Sequence, residues 1–554
     1  MTARLRSLLA PLAALPLLFG LTGCPAARYP ADLVVYNATV YPVDSAFSRA
    51  EAFAVQDGRI VFVGTSREVG QRYEAREKVD AQGKFIYPGF YDAHCHFYRY
   101  ALGLRDANLV GTQSWGEVVQ KLQAHRRQNP QAAWLTGRGW DQNDWPVKQF
   151  PTKDTLDRLF PDVPVFLIRI DGHAALVNQK ALDLAGITAR TPISGGTITR
   201  NAQGQLTGLL VDNAVDLVSS KIPEPTAAEA TRLVLQAQQE CVALGLTSLA
   251  DAGLERAQIE RVDSLQQAGQ LKLRLDAMIS MSPANLDYYL QRGPYSTDRL
   301  TVNSFKVYGD GALGSRGACL LHPYADRPSE TGFLLQSVAE YRALAEKLAA
   351  SKFQMNTHAI GDSANRVLLD IYGQVLKGQK DRRWRIEHAQ VVSPADVAKF
   401  RQYGIVPSVQ PTHATSDMYW AGERLGAERL KTAYAYKALL DATGRLPLGS
   451  DFPVEYLNPL FGFHAAVARQ DAKNYPQGGF QMENALTREQ ALRGMTEWAA
   501  WAAFEDQQKG TLTKGKWADF VILDQDLMQA PAEQLRSIKV LGTYIQGEKV
   551  YGQR

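Results

Sequence analysis

Eight apolar, strand-like runs that alternate with helical stretches predict an α/β chain built on a TIM (β/α)8 barrel. Two further observations complete the architecture. The gap of about 150 residues between the first and second runs is far longer than a crossover helix needs, so an inserted subdomain over the barrel mouth is expected at about residues 105–225. A β-rich texture at both chain ends predicts one small β-sandwich domain that the two ends build together.

In chain order, residues 1–23 carry Arg4 and Arg6, an apolar core at 8–20 broken by Pro11 and Pro16, then small residues. That is the order of a secretory signal peptide, and it is too short and too interrupted for a membrane span. Leu21-Thr22-Gly23-Cys24 resembles the bacterial lipobox, which implies cleavage before Cys24, lipid on its thiol and membrane attachment through that anchor only. Pro25, not Asp, follows the cysteine; by resemblance to other lipoproteins this implies the cell envelope, at the periplasmic face of the outer membrane. Residues 24–31 are expected as a tether.

Residues 32–86 hold strand-like runs at 33–41, 52–55 and 60–64, the last two joined by Asp57-Gly58, a hairpin signal. Residues 506–554 add runs at 518–524 and 540–551, and two separate β modules would each have little core. Between them, residues 87–505 are expected to form the barrel, with strands at 85–96, 245–251, 271–279, 302–310, 353–360, 384–388, 405–410 and 446–451. Helical stretches at 227–244, 337–350, 362–377 and 395–403 separate several of these. An open doubly wound sheet would call for a glycine-rich nucleotide loop after the first strand, and none is there.

At 554 residues the chain is long enough for several cores, and 45% hydrophobic with 21% charged residues is ordinary for a globular protein. Without Arg4 and Arg6 the 61 basic residues become 59 against 57 acidic, a net charge of +2. Nothing there steers the chain toward nucleic acid. With Cys24 lipidated, Cys95, Cys241 and Cys319 remain, an odd number, and all three are expected as buried thiols.

Residues 87–97 open on Pro88-Gly89 and close on His94 and His96. Side chains alternate along a strand, so the two histidines share a face while Cys95 points the other way. Lys306, His358, His388 and Asp451 lie near the ends of the fourth, fifth, sixth and eighth runs, the rim at which such a barrel carries its site. Imidazole and carboxylate without thiolate suit zinc, manganese or iron, with zinc favoured as a non-redox Lewis acid. A lysine ammonium cannot bind a cation, so Lys306 must lose its proton, which a buried position promotes. Trp140 and Asp141 in the insertion, Arg316 after the fourth run, and Gln410 and His413 after the seventh are candidate substrate contacts, Arg316 for an anionic group. His125, His322 and His464 lack a motif and read as structural.

Taken together, Pro88-Gly89-Phe90-Tyr91-Asp92-Ala93-His94-Cys95-His96, Lys306 through Asp310-Gly311-Ala312-Leu313-Gly314-Ser315-Arg316, Thr357-His358-Ala359-Ile360-Gly361-Asp362, Arg385-Ile386-Glu387-His388-Ala389-Gln390 and Gly449-Ser450-Asp451 resemble the amidohydrolase superfamily. Within it they are similar to the family 3 group that includes N-substituted formamide deformylase. The resemblance spans nearly the whole mature chain and implies two divalent ions. His94 and His96 would bind the first and His358 and His388 the second, with Lys306 bridging both as a carbamate. Asp451 would touch the first metal and the attacking water. Asp171-Gly172-His173-Ala174 resembles a family segment near the substrate, which implies that His173 hydrogen-bonds the scissile carbonyl.

The function expected is a metal-dependent hydrolase of carbon–nitrogen bonds other than peptide bonds. It would cleave a small-molecule amide, formamide or N-acyl compound by attack of a metal-bridging hydroxide, with Asp451 moving the proton to the leaving nitrogen. A deaminase or cyclic amidase on the same scaffold is the alternative, and a catalytically inactive binding lipoprotein is an alternative of another class. Self-association as a homodimer is compatible with either.

Overall fold

The computed structural model describes residues 1–2 and 28–552, so the expected signal peptide and Cys24 lie outside the described residues. Seven parallel strands form most of a barrel: Phe90–Cys95, Leu246–Leu254, Arg274–Ser280, Leu300–Tyr308, Gln354–Ala359, Arg385–His388 and Val406–Ser408. The eighth position is filled by residues 446–451, which hold no regular strand. Val409 bridges Leu448 on one side, and on the other Ala93 N donates to Leu448 O (3.1 Å) and Asp451 N to His94 O (2.7 Å). The ring closes there because Gly449 has no side chain: a Cβ would sit 2.5 Å from His94 N.

The expected first strand, 85–96, is in fact two. Phe85–Pro88 pairs antiparallel with Phe520–Leu523, and Phe90–Cys95 pairs with Leu246–Leu254. The break falls at Gly89, where a Cβ would lie 2.3 Å from the Thr247 side chain, so the chain crosses between sheets where only glycine fits. A strand already begins within residues 24–31, the stretch expected as a tether. Tyr29–Tyr36 is already strand, and Tyr29 stands opposite Tyr73 in a parallel pair. Its partner, Tyr73–Asp80, reads YEAREKVD and lacks the apolar alternation that would mark it in sequence.

The two chain ends build a four-stranded and a five-stranded sheet. Leu33, Val35, Phe53 and Val55 from the first share a core with Ile86, Phe520, Ile522 and Tyr544 from the second. The insertion contains a six-stranded sheet, ordered Gly196–Arg200, Leu206–Asp212, Ala174–Val177, Val165–Arg169, Leu135–Trp140 and Ala107–Asn108. Strand alternation gives it two apolar faces: Val165 and Leu167 enter one core, Phe166 and Ile168 the other. Cys95 and Cys241 are buried as expected, whereas Cys319 is only half-buried. Among the described residues no helix is long and apolar enough to cross a membrane.

A buried ion pair ties the barrel to the sandwich. Arg274, at the start of the third barrel strand, donates from Nε to Asp519 Oδ2 (2.6 Å) and from Nη2 to Oδ1 (3.0 Å). Burial pushes the Asp519 carboxyl up, but the Arg274 guanidinium outweighs it and holds the group below the usual carboxylate range. A carboxyl depressed in the folded state contributes stability above its unfolded value, and loses it as pH falls through the folded one. Asp519→Ala, which strands Arg274, is therefore expected to cost about 3 kcal/mol at neutral pH. The melting-temperature gap to the parent protein should hold above about pH 5 and narrow below about pH 4; a gap that does not change with pH refutes this account.

Candidate metal centre

At the C-terminal rim of the barrel His94, His96, Lys306, His358, His388 and Asp451 converge, all buried. Ring centres lie 5.6 Å apart for His94 and His96, 4.9 Å for His94 and His388, and 4.5 Å for His358 and His388. Lys306 Nζ is 3.0 Å from His94 Nε2, and Asp451 Oδ1 is 3.1 Å from His96 Nε2. Two groups of donor atoms are each compact enough to hold an ion: His94, His96 and Asp451, and His388, His413 and Asp451. The second group takes in His413, expected only as a substrate contact. His358 stands beside it, with Nε2 3.4 Å from the Gly311 carbonyl.

The second partner of each ring decides which nitrogen is bare. His96 Nδ1 faces the Ala252 carbonyl (2.8 Å), which can only accept, so the proton sits on Nδ1. His94 Nδ1 likewise donates to Glu387 Oε2 (2.5 Å) and His388 Nδ1 to Gln410 Oε1 (2.7 Å). Burial depresses these imidazoles, His96 to about 4, so they are neutral at pH 7 and each Nε2 is a lone pair turned inward. A bare Nε2 and an ionised carboxylate oxygen 3.1 Å apart repel each other unless a cation lies between them. Asp451 Oδ1 and His413 Nε2 are moreover buried without any hydrogen bond. The donor set thus fits divalent metal, with the outer partners that such ligands characteristically have.

Backbone conformation aims two of these side chains. Alternation along Arg385–His388 would put His388 on the face opposite Glu387, yet both meet His94. His388 has φ 73° and Ala389 φ 39°, so the strand ends in a left-handed turn that swings the ring inward. Asp451 has φ 62°. Non-glycine residues held there cost roughly 1–3 kcal/mol each and cluster at functional sites.

The other expected site residues divide. His173 comes to the centre: its ring lies 5.0 Å from that of His358, and Nδ1 is 2.7 Å from Asp212 Oδ1. It and Asp141 line, with the rim residues, one cavity of about 1660 Å³. Trp140 does not line it; its ring is fully buried in an insertion core, with Nε1 donating to Leu167 O (2.9 Å). Arg316 is not aimed at an anionic substrate either, because Asp326 takes its Nη2 at 2.7 Å. Gln410 reaches the site only through His388. Sequence reasoning missed four positioning carboxylates. Glu387 orients His94, and Asp212 holds His173. Asp92 accepts from His94 N (3.1 Å) and Ser450 N (3.0 Å), and Asp310 accepts from Ile360 N (2.9 Å) and Gly361 N (2.8 Å). Asp92 alone carried a local signal, since it shares the strand face of His94.

Residues 77–551 match the amidohydrolase family. The chain belongs to that family. It is 34% identical over 548 residues to Protein LONG AFTER FAR-RED 3 of Arabidopsis thaliana, covering 95% of this chain and 93% of that one. It is 30% identical over 539 residues to N-substituted formamide deformylase of Arthrobacter pascens, covering 93% and 97%. A crystal structure of an uncharacterized metal-dependent hydrolase from Pyrococcus horikoshii superposes with a TM-score of 0.73 at 27% identity, covering 90% of this chain and 99% of that one. This amidohydrolase is accordingly a metal-dependent hydrolase of carbon–nitrogen bonds, and the non-enzymatic binding protein gives way to an enzyme.

Glu387→Gln keeps an acceptor for His94 but removes the charge. It is expected to weaken metal retention about tenfold, measured as metal per chain during dialysis against graded chelator. Unchanged retention would mean that Glu387 does not tune the ligand.

Proposed function

We propose that this amidohydrolase cleaves the C–N bond of a small-molecule amide, formamide or other N-acyl compound. The observation that carries the reading is the pair of unprotonated acceptors, His96 Nε2 and Asp451 Oδ1, held 3.1 Å apart. His94, His96, Lys306, His358, His388 and Asp451 would hold two divalent ions, zinc first by ligand type, and His413 is placed to assist His388. When bound, such ions acidify a water and polarise a carbonyl.

The chain's own groups supply the rest. Burial pulls the Lys306 ammonium down to about 8, against Glu387 and Asp451, so a neutral amine is available to add to carbon dioxide. The product, a carbamate with loss of one proton, turns a cation into a two-oxygen anion. Asp451, kept ionised, takes the proton of the attacking water and returns it to the leaving nitrogen. Burial favours a neutral His173, but Asp212 raises its imidazole above the ordinary value, so a proton on Nε2 can be donated to the substrate carbonyl while Nδ1 donates to Asp212.

Zinc-loaded protein is expected to release amine from N-formyl or N-acyl amines, followed by mass spectrometry. Asp451→Asn should lower kcat by about 10²- to 10⁴-fold. Release of ammonia from amino-heterocycles alone would favour the deaminase instead. Lys306→Ala should reduce metal per chain and abolish the carbamate signal that ¹³C-bicarbonate gives in NMR; two metals retained would sink the bridging role.

Attachment to the outer membrane through Cys24 is proposed as well, on the charged–apolar–Leu-Thr-Gly-Cys order of residues 1–24. With strand from Tyr29, about five residues, at most about 17 Å, would separate the lipid from the sandwich. Cys24→Ala should move the protein from the membrane pellet to the soluble fraction; a variant still in the pellet contradicts the anchor.

A further inference from the structure

At the metal centre one hydroxyl is open to the cavity and held by nothing. Tyr308 ends Leu300–Tyr308 two residues beyond Lys306, so strand alternation turns both side chains to one face. The ligands beside it are buried, yet Tyr308 is 37% exposed and lines the cavity. Its ring centre lies 5.0 Å from Lys306 Nζ, 5.8 Å from the His358 ring and 6.5 Å from the His173 ring. The ring therefore borders three groups of the centre at once.

Neighbouring tyrosines use their hydroxyls within the fold. Tyr434 Oη donates to Asp417 Oδ2 (2.8 Å) and Tyr436 Oη to Gln410 O (2.8 Å). Tyr341 Oη donates to Tyr308 O (2.8 Å) and so fixes the backbone that carries the Tyr308 ring. Among the described residues the Tyr308 hydroxyl itself has no hydrogen-bond partner. A Cβ on Gly253 would lie 3.6 Å from that hydroxyl and 3.7 Å from Lys306 Cγ. The hydroxyl thus sits by the lysine stem, between the ends of the second and fourth barrel strands, and not at the outer mouth. Gly253 follows Ala252, whose carbonyl fixes His96, so this is also the strand end that aims a ligand.

We infer that Tyr308 is a catalytic residue: its hydroxyl donates a hydrogen bond to the oxygen of the scissile acyl group, as a second donor beside His173. When water adds to the acyl carbon, a C–O bond forms and the carbonyl π pair moves onto that oxygen. The phenol keeps its own proton and offsets part of the charge that develops. The carbonyl re-forms as the C–N bond breaks, and the amine leaves with the proton that Asp451 returns. A donor aimed at developing charge acts on the transition state more than on bound substrate, so its effect falls on kcat. This rests on the hydrolase reading above and deepens it.

The test uses zinc-loaded protein, N-acetylphenethylamine, and N-phenethyl methylphosphonamidate, which replaces the tetrahedral carbon by phosphorus. Tyr308→Phe keeps the ring and removes the hydroxyl. It should lower kcat by about 100-fold with KM little changed, and weaken the phosphonamidate by a similar factor. Metal per chain and melting temperature should match those of the parent. A kcat near the parent's, an effect on KM alone, or a fall in kcat that follows lost metal overturns the inference while the hydrolase reading stands. If the parent does not cleave the amide, that reading fails for it, and calorimetric titration with the phosphonamidate decides. Binding that weakens in Tyr308→Phe supports the inference; equal binding or none overturns it.

Discussion

His94 is held from every side, and the barrel's closure and its metal centre are the same feature because of it. Its carbonyl accepts from Asp451 N and its own N–H donates to Asp92, so the first and eighth positions of the ring meet across this residue. Its ring is fixed between Glu387 on Nδ1 and Lys306 on Nε2. Gly449 lies flat against its backbone, at a distance that no side chain would allow. A barrel that failed to close at residues 446–451 would carry Asp451 away from His96 and leave two buried lone pairs with nothing to share.

Charge explains why the centre needs so many supporting groups. Imidazoles bind metal only when neutral, and burial keeps them so, but a buried neutral ring must still be told which nitrogen to protonate. Ala252 O, Glu387 and Gln410 each make that choice for one histidine. Glu387 is in turn kept ionised, burial being overcome by Arg385 and His94. The left-handed turns at His388 and Asp451 are tolerated within this tightly bonded rim.

One carboxylate of the insertion fits directly against the same rim. Asp212, at φ 52°, ends an insertion strand and fits against Gly311 and Gly317, where Cβ atoms would come within 2.6 Å and 2.5 Å of it. It also orients His173. Substrate selection and chemistry are thereby joined in one cavity walled by two separately cored units.

Much of this was legible from local pattern. Strand parity alone put His94 and His96 on one face and Cys95 on the other, alternation of strands and helices pointed to a barrel, and the motifs marked where its ends lie. The split at Gly89 and the strand Tyr73–Asp80 were not legible, because a glycine crossing and a polar edge strand have no apolar period. Nor was the ranking of site neighbours: Trp140 is core, Arg316 is paired and His413 moves inward, since each outcome depends on contacts that no local pattern marks. Sequence by itself determined the donor types and the faces they occupy, because both follow from residue identity and a two-residue repeat. Tertiary structure alone decided which nitrogen of each ring is bare and which carboxylates are spent on structure, because those are settled by contacts between residues up to 358 positions apart.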